Sequence, residues 1–235
     1  MKIDLRRGKR PKVAVLLDPD KLTQSDWPIL VEQARDSLLD YFFVGSSLLL
    51  GDSFNDLVGW LKNNTTIPVV IFPGNQMQLD TRADALLMLS LISGRNAEYL
   101  IGQQVAAAPR IRQMQLPAIP VGYVLIDGGR TATTAYITQT APIPSDRNDV
   151  AVATAMAGEL LGLQAIYLEA GSGALQPVPA AMIEAVKRNV TIPVIVGGGL
   201  RTADHLTAAA NAGADVVVIG NALEGNRELL RQLVL

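Results

Sequence analysis

Thr191-Ile-Pro-Val-Ile-Val-Gly-Gly-Gly199 and Gly213-Ala-Asp-Val-Val-Val-Ile-Gly-Asn221 flank a helical stretch from Thr202 to Ala212. Each flanking segment is a run of branched aliphatics that ends in glycine, which suits a strand buried on both faces of a parallel sheet. A strand, a helix, a second strand and a further helical stretch, Glu224 to Leu233, is how a closed barrel of alternating strands and helices finishes. Upstream, Thr66-Ile-Pro-Val-Val-Ile-Phe-Pro-Gly74 resembles the unit at Thr191, 125 residues earlier. Between and around these lie further apolar runs at Lys12 to Asp18, Tyr41 to Ser46, Ala85 to Ser90, Ile119 to Ile126 and Ala165 to Glu169. The look-alike units therefore fall on strands three and seven of eight, the offset expected of a barrel made of two halves. Helical patterns occupy Ser25 to Leu38, Phe54 to Asn63, Glu98 to Gln113, Asp149 to Leu161 and Pro179 to Asn189. Only Gly74 to Asp84 is too polar and too short for a helix.

The predicted fold is α/β, a (β/α)8 TIM barrel with the helix after strand three replaced by a loop. An open doubly wound sheet is the competitor; the closing segment and the four-strand repeat favour closure. The breaks at Gly128 to Arg130 and Ala141 to Ser145 read as loops, so residues 1–235 form one predicted domain.

Composition limits the chemistry. The chain has 20 Lys+Arg against 22 Asp+Glu, which argues against non-specific nucleic-acid binding. It has no cysteine, hence no disulfide framework, thiolate metal site or cysteine nucleophile. Its one histidine, His205, lies in the helix after strand seven and reads as a surface residue. Trp60, Met88 and Met114 read as packing. The apolar run after the basic lead-in Met1 to Lys12 stops at Asp18, short of a secretory or spanning segment. A soluble, cytoplasmic protein with at most peripheral membrane contact is expected. Mean hydropathy of +0.25 leaves apolar surface for a homo-oligomer.

In such barrels the strand C-termini build the active face. Gly171-Ser-Gly173, Gly197-Gly-Gly199 and Gly220-Asn221 end strands six, seven and eight. Glycine lets backbone amides approach an anion, and a following helix N-terminus adds its positive dipole end. Three clusters on adjacent strand ends read as a phosphate cradle, where one would read as a turn. Asp18 ends strand one and Ser47 lies just past strand two, oxygen ligands that suit a diphosphate-bound Mg2+. From spacing alone, Asp18 reads equally as a capping residue and Ser47 as a core-edge hydroxyl. Tyr167 and Glu169 are two apart on strand six and point together into the barrel mouth, where Glu169 can take a proton from a hydroxyl or simply hold backbone amides.

Leu17-Asp-Pro-Asp-Lys21, Gly45-Ser-Ser47, Phe72-Pro-Gly-Asn75, Tyr167-Leu-Glu-Ala-Gly-Ser-Gly-Ala174, Val196-Gly-Gly-Gly-Leu-Arg201 and Gly220-Asn221, in this order, resemble the geranylgeranylglyceryl phosphate synthase family over nearly the whole chain. The resemblance implies a prenyltransferase joining the 3-hydroxyl of sn-glycerol 1-phosphate to a polyprenyl diphosphate, with release of diphosphate. It implies Mg2+ on Asp18 and Ser47. It implies glycerol-phosphate binding by Tyr167, Leu168, Glu169, Ala170, Gly171, Ser172, Gly173, Gly198, Gly199, Gly220 and Asn221, with Glu169 orienting or deprotonating the glycerol hydroxyl. The loop in place of the helix after strand three is the expected mouth of a prenyl groove, with Phe72, Ala85 and Tyr99 as lining and Tyr99 capping it near a twenty-carbon chain.

Two departures bear on the branch. The smaller Bacillus-type branch, with a longer heptaprenyl donor, carries a lysine two residues before the metal aspartate; here that residue is Leu16. The chain thus resembles the archaeal-type branch, which also occurs in bacteria, although Gly45-Ser46-Ser47 replaces its usual Gly-Gly-Ser. Another phosphate-binding barrel enzyme is the main rival. An indole-glycerol phosphate synthase would bring a catalytic lysine on an early strand, and strands two to five contain none. A prenyl-phosphate binder without turnover is the other, which leaves Asp18, Ser47 and Glu169 together without a purpose.

Overall fold

A computed structural model describes residues 3–220 apart from residue 36. The strands β1 (Lys12–Leu17), β2 (Tyr41–Val44), β3 (Val69–Ile71), β4 (Ala85–Leu91), β5 (Ala118–Leu125), β6 (Ala165–Glu169), β7 (Val194–Gly197) and β8 (Val216–Ile219) are all parallel and close into a barrel in chain order. The helices are α1 (Asp26–Arg35), α2 (Ser53–Asn64), α3 (Gln103–Met114), α4 (Thr133–Thr138), α5 (Asn148–Leu160), α6 (Ala180–Asn189) and α7 (Ala203–Asn211). A π-helical turn, Glu98–Gly102, leads into α3. No helix separates β3 from β4, as the polarity of Gly74 to Asp84 predicts. The helix expected at Glu224 to Leu233 lies outside the described residues.

Strand alternation divides the core into two layers. Val13, Val15, Leu86, Ile166, Leu168 and Val196 face the helices, joined by Leu57, Val186 and Leu206. Ala14, Phe43, Val70, Ala85, Leu87, Tyr123, Tyr167 and Ile195 fill the barrel. The scarce aromatics concentrate there: Tyr41, Phe43, Phe72, Tyr167 and Tyr123 form a chain of ring contacts with centroids 5.2 to 6.4 Å apart. That column is invisible in a composition of 5% aromatics.

At the opposite end of the barrel from the glycine clusters, one device recurs. Asp40, Asp84 and Asp215 each immediately precede or open the next strand and accept a hydrogen bond, at 2.8 Å, from an amide at the start of the strand before it: Val13, Val69 and Val194. Each carboxylate is paired with a cation, Arg10, Lys62 and Lys187 respectively. Lys62 and Lys187 stand four residues before Thr66 and Thr191, so the half-barrel repeat extends to its supports. Asp215 is 3% exposed and also accepts from the Arg7 amide. Asp215→Ala strands buried donors and should cost about 2–4 kcal/mol of unfolding free energy. Thermal denaturation should show a fall of roughly 5–10 °C; an unshifted transition would mean that the carboxylate supports nothing.

Candidate active site

The β6 and β7 ends place the central carboxylate. Tyr167 and Glu169 lie on the inner face of β6, and both are buried. The Gly171 amide donates to Glu169 Oε1 at 2.8 Å. Burial nonetheless dominates, raising the Glu169 pKa to about 7 against the lowering effect of that amide and of the nearby Tyr167 hydroxyl. The Tyr167 hydroxyl has no well-formed hydrogen bond among the described residues. Burial and the Glu169 charge hold this phenol well above its usual range. Gly197 makes the approach possible, because a Cβ there would stand 2.4 Å from the Tyr167 hydroxyl and 2.8 Å from Glu169 Oε2.

The glycine clusters converge beside this pair. Gly198, at φ +77°, brings its backbone against the β6 end; a Cβ would lie 2.3 Å from Glu169 Oε1 and 2.7 Å from the Gly171 nitrogen. Arg201 ties the two loops by donating to the carbonyls of Gly173 and Ala174. The resulting cavity is walled by Tyr167, Glu169, Gly171, Ser172, Gly173, Gly198, Gly199 and Gly220, with Lys21 and Arg201 adding positive charge. Leu168 and Ala170, expected in this site, point away into the layer under the helices, because alternate residues of a strand face opposite sides. Asn221 lies outside the described residues.

Asp18 and Ser47 open on the same cavity. Asp18 Oδ1 caps the short 3-10 turn Pro19–Lys21 by accepting from the Asp20 amide at 3.2 Å. Its Oδ2 accepts from the Ser46 hydroxyl at 3.1 Å, with Lys21 Nζ 3.6 Å away. The capping reading is thus realised, and Ser46, not Ser47, touches the carboxylate. The Ser47 hydroxyl instead meets that of Thr134 at 3.0 Å. Gln78 clamps Ser46 through both backbone groups, accepting from its amide at 3.2 Å and donating to its carbonyl at 2.8 Å. The polar, helix-less segment therefore fixes the serine pair. One carboxylate with two adjacent hydroxyls is a hard-oxygen set that fits a Mg2+ drawing its remaining ligands from water and phosphate.

A second, apolar cavity of about 110 Å3 runs from the barrel mouth over β4 toward α3. Phe72 and Tyr99 line it, as expected, together with Leu86, Met88, Leu89 and Ile111. Ala85 does not: as the first residue of β4 it sits low inside the barrel beside Val70, far along the strand from the mouth. Met88, expected as packing, is a wall residue. Ser47, Phe72, Tyr123 and Thr134 belong to both cavities and form the junction between them. Thr134 comes from α4, a Thr- and Ala-rich segment with no apolar stripe and therefore no sequence signal. Tyr123 was legible only from its parity with Val121 and Leu125 on β5.

This geometry has counterparts. A protein of Spirosoma linguale named geranylgeranylglyceryl phosphate synthase is 46% identical over 98% of this chain and 92% of its own length. One of the same name from Korarchaeum cryptofilum is 39% identical over 96% and 93%. The crystal structure of (S)-3-O-geranylgeranylglyceryl phosphate synthase from Thermoplasma acidophilum, in complex with sn-glycerol-1-phosphate, superposes with a TM-score of 0.88 at 32% identity, covering 95% of this chain and 90% of that one. Residues 5–234 match the PcrB family, and with relatives this similar over almost its entire length, the chain belongs to that family.

Proposed function

We propose that this protein is a prenyltransferase that joins the 3-hydroxyl of sn-glycerol 1-phosphate to geranylgeranyl diphosphate, forming an ether and releasing diphosphate. The observation that carries the reading is the junction: a glycine-lined polar cavity, bordered by Lys21 and Arg201, opens directly into an apolar groove at Ser47, Phe72, Tyr123 and Thr134. Among the described residues, a small anion and a hydrocarbon chain meet there. The relatives' shared name and the glycerol-phosphate complex of the Thermoplasma protein support the same assignment.

In this reading the backbone amides at Gly198 and Gly199 hold the phosphate of glycerol phosphate, and the Tyr167 hydroxyl and Glu169 receive its glycerol end. Glu169 accepts the proton of the 3-hydroxyl as that oxygen attacks the allylic carbon of the donor. The bond from this carbon to the diphosphate oxygen breaks, and the electron pair leaves with diphosphate. Asp18, with Ser46 and Ser47 beside it, would hold Mg2+, which when bound neutralises charge on the leaving group. The prenyl tail lies along Phe72, Leu89 and Tyr99. Cytoplasmic placement fits the finding that no helix among the described residues is long and apolar enough to cross a membrane. A homo-oligomer fits the exposed Leu160 and Leu161 at the end of α5.

The test is incubation with labelled glycerol 1-phosphate, Mg2+ and prenyl diphosphates of ten to thirty-five carbons, followed by lipid extraction. An extractable labelled ether, lost on chelation and restored by Mg2+, is expected. Its absence with every donor would end the proposal.

A further inference from the structure

The polar segment between β3 and β4 buries a glutamine. Gln78 is 1% exposed and borders neither cavity. A carboxamide removed from water weakens a fold unless its donors and acceptors are matched. Here both go to one residue: the Ser46 amide donates to Gln78 Oε1 at 3.2 Å, and Gln78 Nε2 donates to the Ser46 carbonyl at 2.8 Å.

Ser46 calls for such a partner because it lies past both of its ladders. The last pairs of β2 are Val44 with Leu17 on one side and Val44 with Ile71 on the other. The Gln78 side chain takes the place of a neighbouring strand, offering one acceptor and one donor to the backbone. Two glycines permit the approach. A Cβ at Gly45 would lie 3.0 Å from Gln78 Oε1, and one at Gly74 would strike the Ser46 carbonyl. The segment that carries Gln78 is anchored in turn. Arg82 donates to both oxygens of the buried Asp80, at 2.9 and 2.6 Å, and to the Asn55 carbonyl of α2 at 2.6 Å.

What Gln78 holds is the Asp18 side of the polar cavity. The Ser46 hydroxyl donates to Asp18 Oδ2, and Ser47 follows directly in the chain. Pro73, Gly74, Asn75, Gln76 and Leu79 of the same segment line the apolar groove. One stretch of chain therefore borders the groove for the donor's tail and fixes the hydroxyls beside Asp18. Glu169, Gly198 and Gly199 belong to β6 and the loop after β7.

Building on the prenyltransferase reading, we propose that Gln78 is a positioning residue: through the Ser46 backbone it aligns the Ser46 and Ser47 hydroxyls with Asp18, and so sets the affinity of this site for a divalent cation carrying diphosphate. A fully matched buried polar pair fixes one geometry where apolar packing would accept several.

Mn2+ titrated into the protein together with inorganic diphosphate, and followed by loss of the free-ion EPR signal, reads the site without turnover. Gln78→Met keeps the length of the side chain and removes both hydrogen bonds. Gln78→Asn keeps the carboxamide but is one methylene too short to reach both Ser46 groups, which covers a poorly folding first variant. Each should raise the Mn2+ dissociation constant by about 10- to 100-fold, the usual effect of losing a residue that orients ligands. In turnover at fixed Mg2+, KM for the prenyl diphosphate should rise while KM for glycerol 1-phosphate stays at the wild-type value. A merely structural role would lower the unfolding midpoint or the number of Mn2+ sites and leave the dissociation constant where it was. An unmoved dissociation constant in folded variants, or a KM rise shared equally by both substrates, overturns the proposal while leaving the prenyltransferase reading intact. A wild-type protein that makes no ether with any donor removes both.

Discussion

Glu169→Gln should lower turnover by about 10²- to 10⁴-fold, the usual worth of a positioned proton acceptor, and should make the protein more stable at the same time. Both effects have one cause. The carboxyl is buried against β7 and the β6 loop, and burial raises its pKa to about 7, close to the pH at which a base must work. Below that pH the carboxyl is protonated and cannot accept a proton, so wild-type kcat/KM should fall about tenfold per pH unit on the acid side of 7. The stability argument runs the other way. The folded state binds this proton more tightly than the unfolded chain, so ionisation works against folding as pH rises from the ordinary glutamate range to about 7, and the full cost stands above 7. The gap from an ordinary glutamate carboxyl at 4.5 corresponds to about 3 kcal/mol. Glutamine keeps an oxygen for the Gly171 amide and carries no charge, so the variant should gain about 1–3 kcal/mol above pH 7, shrinking toward pH 5. Denaturant titrations at pH 5 and 8, run beside turnover measurements, check both halves. Wild-type turnover in the variant would take the proton-transfer role away from Glu169.

Gly198→Ala should remove nearly all glycerol-phosphate-dependent activity. The backbone at φ +77° is strained for any residue with a Cβ, and here that atom would fall 2.3 Å from Glu169 Oε1 and 2.8 Å from the Ala170 amide nitrogen. The β6 loop must shift, moving Glu169 and the Gly171–Gly173 turn together. A loss of at least about 100-fold in kcat/KM for glycerol 1-phosphate is expected, roughly 2.7 kcal/mol of transition-state stabilisation. Gly220→Ala separates ligand from scaffold. A Cβ at Gly220 meets nothing within 4 Å among the described residues, yet Gly220 borders the cavity. That variant should fold like the wild type and show its defect in KM. Unchanged kinetics in both variants would place the phosphate elsewhere.

Much of this architecture was legible because local pattern and tertiary role coincide. The run Ala165 to Glu169 is β6 residue for residue, and its parity assigned Tyr167 and Glu169 to the barrel mouth. The run at Ile67 to Gly74 shrinks to Val69–Ile71, since Pro68 and Pro73 have no amide to give a ladder. Leu168 and Ala170 belong to the motif but not to the site: a contiguous sequence match ignores the pleat. Ala85 shows the complementary error, because the right face of a strand at the wrong height reaches no groove. The junction residue Thr134 escaped because its segment carries no apolar stripe. No local pattern encodes the contact of Thr134 with Ser47, 87 positions away.

The barrel's hydrogen-bonded seams are unequal. β3 meets β4 only through Val70 with Ala85 and Ile71 with Leu86, and β7 meets β8 only through Ile195 with Val216 and Val196 with Val217. These are the two seams that the Asp84 and Asp215 carboxylates bridge from below. Parting both would divide the barrel into two four-stranded leaves, β8 with β1 to β3 and β4 to β7, each opening and closing as a cooperative unit. Glu169 and most of the glycine clusters ride on one leaf and Asp18 on the other, so the cavity they share exists only while the leaves stay clasped.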